Sequence, residues 1–272
     1  MTLKTHSHRR TPSFKGWEPA MAVVGLALLV AMIPTGWLAL IDDRTLNDVG
    51  IWDKPLKFQL STGLFLLMAS WVSTRLPAGW RHTPAGRYVV WAAIVSTLFE
   101  VGYIAFQASR GQASHFNYSN GFTIAMYGLM GAGAVILTST ALVQGIGVLR
   151  HDAGDPPAFR RALGWGLVLT FLLGTATGAY MSAQMSGHWV GGAASDAGGL
   201  PLLGWSKTSG DLRPPHFLGI HAAQILPVTA VILLAVNRRL ADLLTRLAIA
   251  TYVAVTIAVF GQAVSGLPLI AL

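Results

Sequence analysis

Glu100, Tyr103, Gln107 and Arg110 recur at spacings of three and four along an otherwise apolar stretch, with Ser96 one turn before them. At about 100° per residue they share one narrow stripe of a helix. A carboxylate, a phenol, an amide and a guanidinium on one stripe can pass a proton and hold an acidic group. A second stripe of the same kind runs through Thr177, Tyr180, Met181, Gln184 and His188. A third segment, Gly210 to Pro227, carries Asp211, Arg213, His216, His221 and Gln224 from a polar loop into an apolar run. Lys54 and Lys57 open another apolar run, and His115 follows Arg110 within a short polar loop.

Imidazoles ligate transition metals and haem iron, and neighbouring cations hold haem propionates. These residues therefore point first to a haem- or metal-binding membrane oxidoreductase. In that reading His221 and one of His115, His188 or His216 are metal ligands. Lys54, Lys57, Gln107, Arg213, Gln184 and Gln224 surround the cofactor, and Glu100, Tyr103 and Arg110 carry the catalytic steps. His216 and His221 stand five apart, about 140° around a regular helix, so the two do not ligate one ion together. Two other chemistries fit the same residues: a transporter or channel for a small anion or a proton-coupled solute, and a metal-dependent hydrolase acting on a lipid. The chain has no H-E-x-x-H, H-x-x-x-H or C-x-x-C-H motif. It has no cysteine, which excludes disulfides, thiolate ligands and cysteine nucleophiles. Each group also has a simpler reading. A lone histidine at a membrane interface often only hydrogen-bonds loop backbone, Glu100 would pair with Arg110 or Lys57, and Met126, Met130 and Met181 would fill core.

The elements that must position these groups are membrane helices. Hydrophobic residues make up 53% of the 272 and charged residues only 11%, where a soluble domain carries about a quarter charged. Seven apolar runs, near 20–41, 56–75, 87–109, 121–148, 160–186, 215–236 and 243–266, approach the roughly 20 residues that a bilayer core requires. They predict an all-α, integral membrane seven-helix bundle, with residues 20–272 as one domain behind a cytoplasmic tail at 1–19. Arg9-Arg10 before the first run has no small-residue cleavage site after it, so that run reads as an uncleaved helix.

Thirteen of the nineteen Lys and Arg fall on the tail and the loops that share its side. That bias predicts a cytoplasmic N-terminus, a periplasmic C-terminus and the bacterial inner membrane. The net charge of +8 is then an orientation signal and not a nucleic-acid footprint. The expected partners are the lipid bilayer and an anionic small molecule or lipid headgroup. The long loop at about 187–214, rich in Gly and Ser and carrying Trp189 and Trp205, reads as a cap on the periplasmic mouth.

A retinal protein is excluded because the last run holds no lysine for a Schiff base. The segments Lys54-Pro-Leu-Lys-Phe58, Gln107 to Asn117 and Gly210 to Phe217 resemble those of uncharacterised bacterial inner-membrane proteins. That resemblance covers most of the chain and implies a polytopic inner-membrane protein, with no activity attached.

Overall fold

The computed structural model describes residues 16–184, 186–192, 195–201 and 203–270. The tail expected over 1–19 lies outside the described residues as far as residue 15. Seven long helices follow: α1 Pro19–Ile41, α2 Asp53–Val72, α3 Pro84–Ser109, α4 Gly121–Arg150, α5 Pro157–Ala183, α6 Arg213–Val236 and α7 Ala241–Val264. Their starts are written locally. Glu18 caps α1 by accepting from the Met21 N–H at 2.8 Å, and Thr83 caps α3 by accepting from Gly86 N–H at 3.1 Å. Asn120 and Thr123 close a reciprocal capping box at the start of α4. Prolines in the first turns of α1, α3, α5 and α6 sit where no intrahelical donor is needed.

Six of these helices are long and apolar enough to cross a membrane, so the chain is an all-helical, multi-pass membrane protein. The helix that falls short is α2. Asp53, Lys54 and Lys57 crowd its first turns, and Gln59, Ser61 and Thr62 follow them. It begins three residues before the predicted run, because Pro55 is tolerated in a first turn and Trp52 just ahead is tied to Asp42 by an indole hydrogen bond of 2.8 Å.

Each helix packs against its chain neighbours, and α5 against α6 most extensively. There the backbones touch: a Cβ on Gly219 would stand 2.8 Å from the Gly174 nitrogen. Small residues let apolar helices approach where no hydrophobic force drives them together. One core joins α1, α2 and α3 through Met21, Leu66, Ala69 and Ala93. Another joins α5, α6 and α7 through Leu169, Ala222, Leu226 and Ala230. The outward faces of α1 and α7 expose Ile33, Leu40, Leu243 and Ile257, a surface suited to lipid.

The loops after α1, α3 and α5 meet at one end of the bundle, called here the cap end. Two short antiparallel pairs build it, β1 (Thr45–Leu46) with β2 (Val49–Gly50) and β3 (Trp189–Val190) with β4 (Gly210–Asp211). Asn47 and Asp48 both take positive φ, the two-residue turn that suits a hairpin's twist. Ser195 donates to Asp48 at 2.8 Å, and Arg44 to the Ser109 carbonyl at 3.2 Å, so the loops form one layer. At the opposite, basic end Arg75 pairs with Asp155 at 2.7 Å and Arg161 with Asp242 at 3.1 Å.

Candidate functional site

The α3 stripe turns inward. Ser96, Glu100, Tyr103 and Gln107 are all buried, Glu100 at 4% exposure and Gln107 at 0%. Arg110 leaves the stripe: it is exposed at the helix end, 5.3 Å above the Phe106 ring. The Glu100 carboxylate lies against Gly133 of α4, where a Cβ would come within 2.9 Å of its Oε1. That oxygen has no hydrogen-bond partner among the described residues. Gln107 donates its Nε2 to the Ala113 carbonyl at 3.2 Å, which fixes the amide orientation and leaves Oε1 without a partner. The Tyr103 hydroxyl is likewise buried and without a partner among the described residues, while the buried Tyr127 hydroxyl of α4 lies beside the Ser182 side chain of α5. Three such atoms on one helix face stand out, because buried polar groups are nearly always satisfied.

Aromatic and apolar side chains hold the cluster together. Tyr103, Ile104 and Met130 pack with Phe58, Phe99 and Met126. Lys54, in the first turn of α2, lies 5.9 Å from the Phe58 ring centroid, and its charge acts on both Glu100 and His115. Among the described residues Glu100 makes no ion pair within 4.0 Å. His115 comes from the loop between α3 and α4. Its ring sits 5.9 Å from both Phe58 and Tyr127, and its Nδ1 is 3.1 Å from the Ser114 hydroxyl. Burial, reinforced by the Lys54 charge, holds the His115 imidazole well below the ordinary histidine range.

The loop carrying His115 forms a lid on this cluster. Gly111 takes a positive φ of 67° as α3 ends, and Phe116, with a side chain, takes 53°. The left-handed geometry of Phe116 is costly and persists because its surroundings fix it: its ring packs 5.1 Å from Tyr127, and Asn117 next to it donates to the Ala113 carbonyl at 2.9 Å. An open cleft of about 560 Å³ runs along Gln112, Ala113 and Phe116 to Ser119, next to the carbonyl that Gln107 holds.

The remaining predicted residues lie elsewhere. His216 turns to α5, its Nδ1 3.2 Å from the Thr177 hydroxyl and its ring filling the space beside Gly178. His221 packs 4.2 Å from Phe217, with the Gln224 side chain as its polar neighbour. His188 stacks 3.7 Å from Trp189, and its Nε2 is 3.3 Å from Asp196. Asp196 in turn pairs with Arg213 at 2.8 Å, and Arg213 pairs with buried Asp211 at 2.7 Å and donates to the Gly204 carbonyl at 2.7 Å. Burial alone would raise the Asp196 carboxyl, but the His188 hydrogen bond and the Arg213 charge outweigh it and hold the group below its usual value. Arg213 and His188 are thus committed to fastening the long loop. Lys57 is exposed and lines a cleft of about 530 Å³ with Asp48, Asp53 and Asp196. Gln184 ends α5, half-buried.

The structure therefore brings Lys54, Glu100, Tyr103, Gln107 and His115 into one cluster. It leaves Arg110, Lys57, Gln184, His188, Arg213, His216, His221 and Gln224 in other surroundings. Among the described residues no three His, Asp or Glu side chains come together as a metal-holding group. Sequence reasoning missed Gly133, whose missing side chain makes room for the Glu100 carboxylate. Its signal was a glycine on the buried face of α4. What the cluster offers chemically is a buried carboxylate, an amide oxygen and two phenols, with a cation and an imidazole at the rim. Comparison with known family models, curated proteins and solved structures finds no match to this chain.

Proposed function

We propose that the protein is a proton-coupled transporter that binds a small polar solute in the α2–α3–α4 cluster and uses Glu100 to carry the coupled proton. One observation carries this reading: three buried polar atoms on one face of α3, on Glu100, Tyr103 and Gln107, have no partner among the described residues. Leaving a buried polar group unpaired costs about 1–3 kcal/mol. A fold that tolerates three along one helix face gains when a solute supplies the missing bonds. The solute in this proposal enters from the cap end, where an open cleft lies along the loop that covers the cluster.

In this proposal α2 is the seventh span, made polar at one end by the site it lines. The thirteen basic residues at the tail side support an N-terminus in the cytoplasm, a cap end and C-terminus in the periplasm, and a bacterial inner membrane as the location. The absence of native cysteine makes single-cysteine labelling direct. Cysteine at Ser195 should react with an impermeant thiol reagent from the periplasm, and cysteine at Arg238 only after the membrane is opened.

Transport is preferred to haem or metal redox chemistry because, among the described residues, the histidines stand in separate surroundings and no three ligand-type side chains gather as a metal-holding group. His221 lies against Phe217 beside Gln224. His216 is held by Thr177 and His188 by Asp196, while His115 lies between Phe58 and Tyr127. Reconstituted protein should show solute flux driven by a pH gradient and abolished by Glu100→Gln. Flux unchanged in that variant would defeat the proposal, and a Soret band in the purified protein would return the oxidoreductase reading to first place.

A further inference from the structure

Resting on the reading of the cluster as a solute site, we infer that the solute is a small protonated amine and not an anion. The kind of bond left open decides the class. Gln107 has already spent its donor on Ala113, so what it presents inward is an acceptor. Glu100 presents a second acceptor, and the hydroxyls of Tyr103 and Tyr127 can accept or donate. Among the described residues the fully buried, partnerless side-chain atoms of this cluster are all oxygens, the unpaired Arg75 nitrogen lying at the basic end, and the N–H donor group near them is the Lys54 ammonium. A carboxylate or phosphate would meet lone pairs, whereas an alkylammonium brings three N–H donors to two fixed acceptors and a hydroxyl.

The walls agree. Phe58, Phe99, Tyr103 and Tyr127 give aromatic surface around the acceptors, and ring faces attract organic cations once water is excluded. The one opposing group is Lys54. It makes no ion pair within 4.0 Å of Glu100 and instead lies over Phe58 at the rim, where its charge opposes an entering cation and would attract an entering anion. Lys54 therefore separates the two classes by the sign of its effect.

The test uses full-length protein in detergent, with thermal stabilisation and calorimetric titration by primary alkylammonium chlorides from methyl to butyl, and by sodium acetate, sodium phosphate and glycerol. Alkylammonium binding should be lost in Glu100→Gln. It should strengthen roughly tenfold in Lys54→Gln, the effect of removing one like charge about 10 Å away at an effective dielectric near 20. Gln107→Leu, which changes no charge, should weaken it roughly tenfold and guards against a Glu100 variant that fails to fold. Acetate or phosphate binding that weakens in Lys54→Gln would overturn the amine assignment while leaving the site in place. Wild-type protein that binds none of these solutes would overturn the site itself.

Discussion

Gly133→Ala separates the site from the fold. An alanine Cβ there would stand 2.9 Å from Glu100 Oε1, while its other neighbours, Glu100 Cδ and Phe99 Cδ1, stay at 3.8 Å. To regain an ordinary contact of 3.4 Å the carboxylate oxygen must retreat by about 0.5 Å. That oxygen is the far end of a flexible side chain, so the retreat costs about 0.5–1.5 kcal/mol of rotamer strain. Replacing glycine by alanine inside a helix returns about 0.5–1 kcal/mol. The two nearly cancel, and the variant should unfold within a few degrees of wild type. Binding has no such compensation. A charge-assisted hydrogen bond is worth about 1.5–3 kcal/mol and depends on where its acceptor stands, so alkylammonium affinity should fall tenfold or more. Gly128→Ala is the control: it lies on the same helix with nothing within 4 Å of its Cβ, so it gains the helix term and leaves binding alone. Thermal unfolding and titration of the two variants side by side give the answer. Equal affinity in both would refute the placement of Glu100 in the site.

Other expectations read the surrounding structure. Gly219→Ala puts its Cβ 2.8 Å from the Gly174 nitrogen and the Leu173 carbonyl carbon, which are backbone atoms and cannot retreat; it should lose about 1–3 kcal/mol in thermal unfolding, where Gly133→Ala loses almost none. The depressed His115 refuses a proton that the unfolded chain accepts below about pH 6.5, so its contribution to stability is present above that pH and is lost as pH falls toward its folded value. The slope is at most about 1.4 kcal/mol per pH unit, and unfolding from pH 7.5 to 5.5 should be flatter in His115→Gln; an identical profile would contradict the burial of the ring. Asp211→Asn removes the buried partner of Arg213 and of the Ser206 N–H at 2.9 Å. Arg213 keeps Asp196, so the loss should be about 2–3 kcal/mol and should show as faster proteolysis within residues 187–212, with alkylammonium binding retained.

Helix number and placement were legible because apolar runs of bilayer length have few alternatives in a chain this poor in charge. The inward face of α3 was legible for the same reason: Ser96, Glu100, Tyr103 and Gln107 share a stripe that lipid would not tolerate. What the pattern could not supply was the partner of each group. His188, Arg213 and Lys57 carry the same chemical types, an imidazole and side-chain cations, as His115 and Lys54. Only the fold shows that the first two are consumed by Asp196 and Asp211 and the third faces an open cleft. The angular separation of His216 and His221 could be computed from spacing. That His216 would fill the gap beside Gly178 could not, since it depends on how closely α5 and α6 approach. The β1–β2 hairpin escaped notice although Asn47-Asp48 is a turn signal, because strands of two residues carry no periodicity.

The bundle divides by the way its helices touch, and the division explains where a solute can be received. Between α5 and α6 glycine and alanine bring backbones into contact, with Gly174 on Gly219 and Gly166 on Ala222, and Gly25 and Gly63 do the same between α1 and the middle of α2. Nothing enters there without separating the helices. The α2 helix is held differently at its two ends. Near the basic end Gln144 donates to the Ala69 carbonyl at 2.8 Å, Ser70 donates to the Glu18 carbonyl at 2.7 Å, and Val72 packs with Val148 and Leu163. At the cap end its contacts with the cluster are those of side chains, Phe58 against His115 and Lys54 over Phe58. The acceptors on Glu100, Gln107 and Tyr103 stand on one rigid helix, and Tyr127 on the helix beside it. Admitting a solute therefore needs Lys54, Phe58 and the His115 lid to move, while the groups that would bind it stay where α3 and α4 hold them.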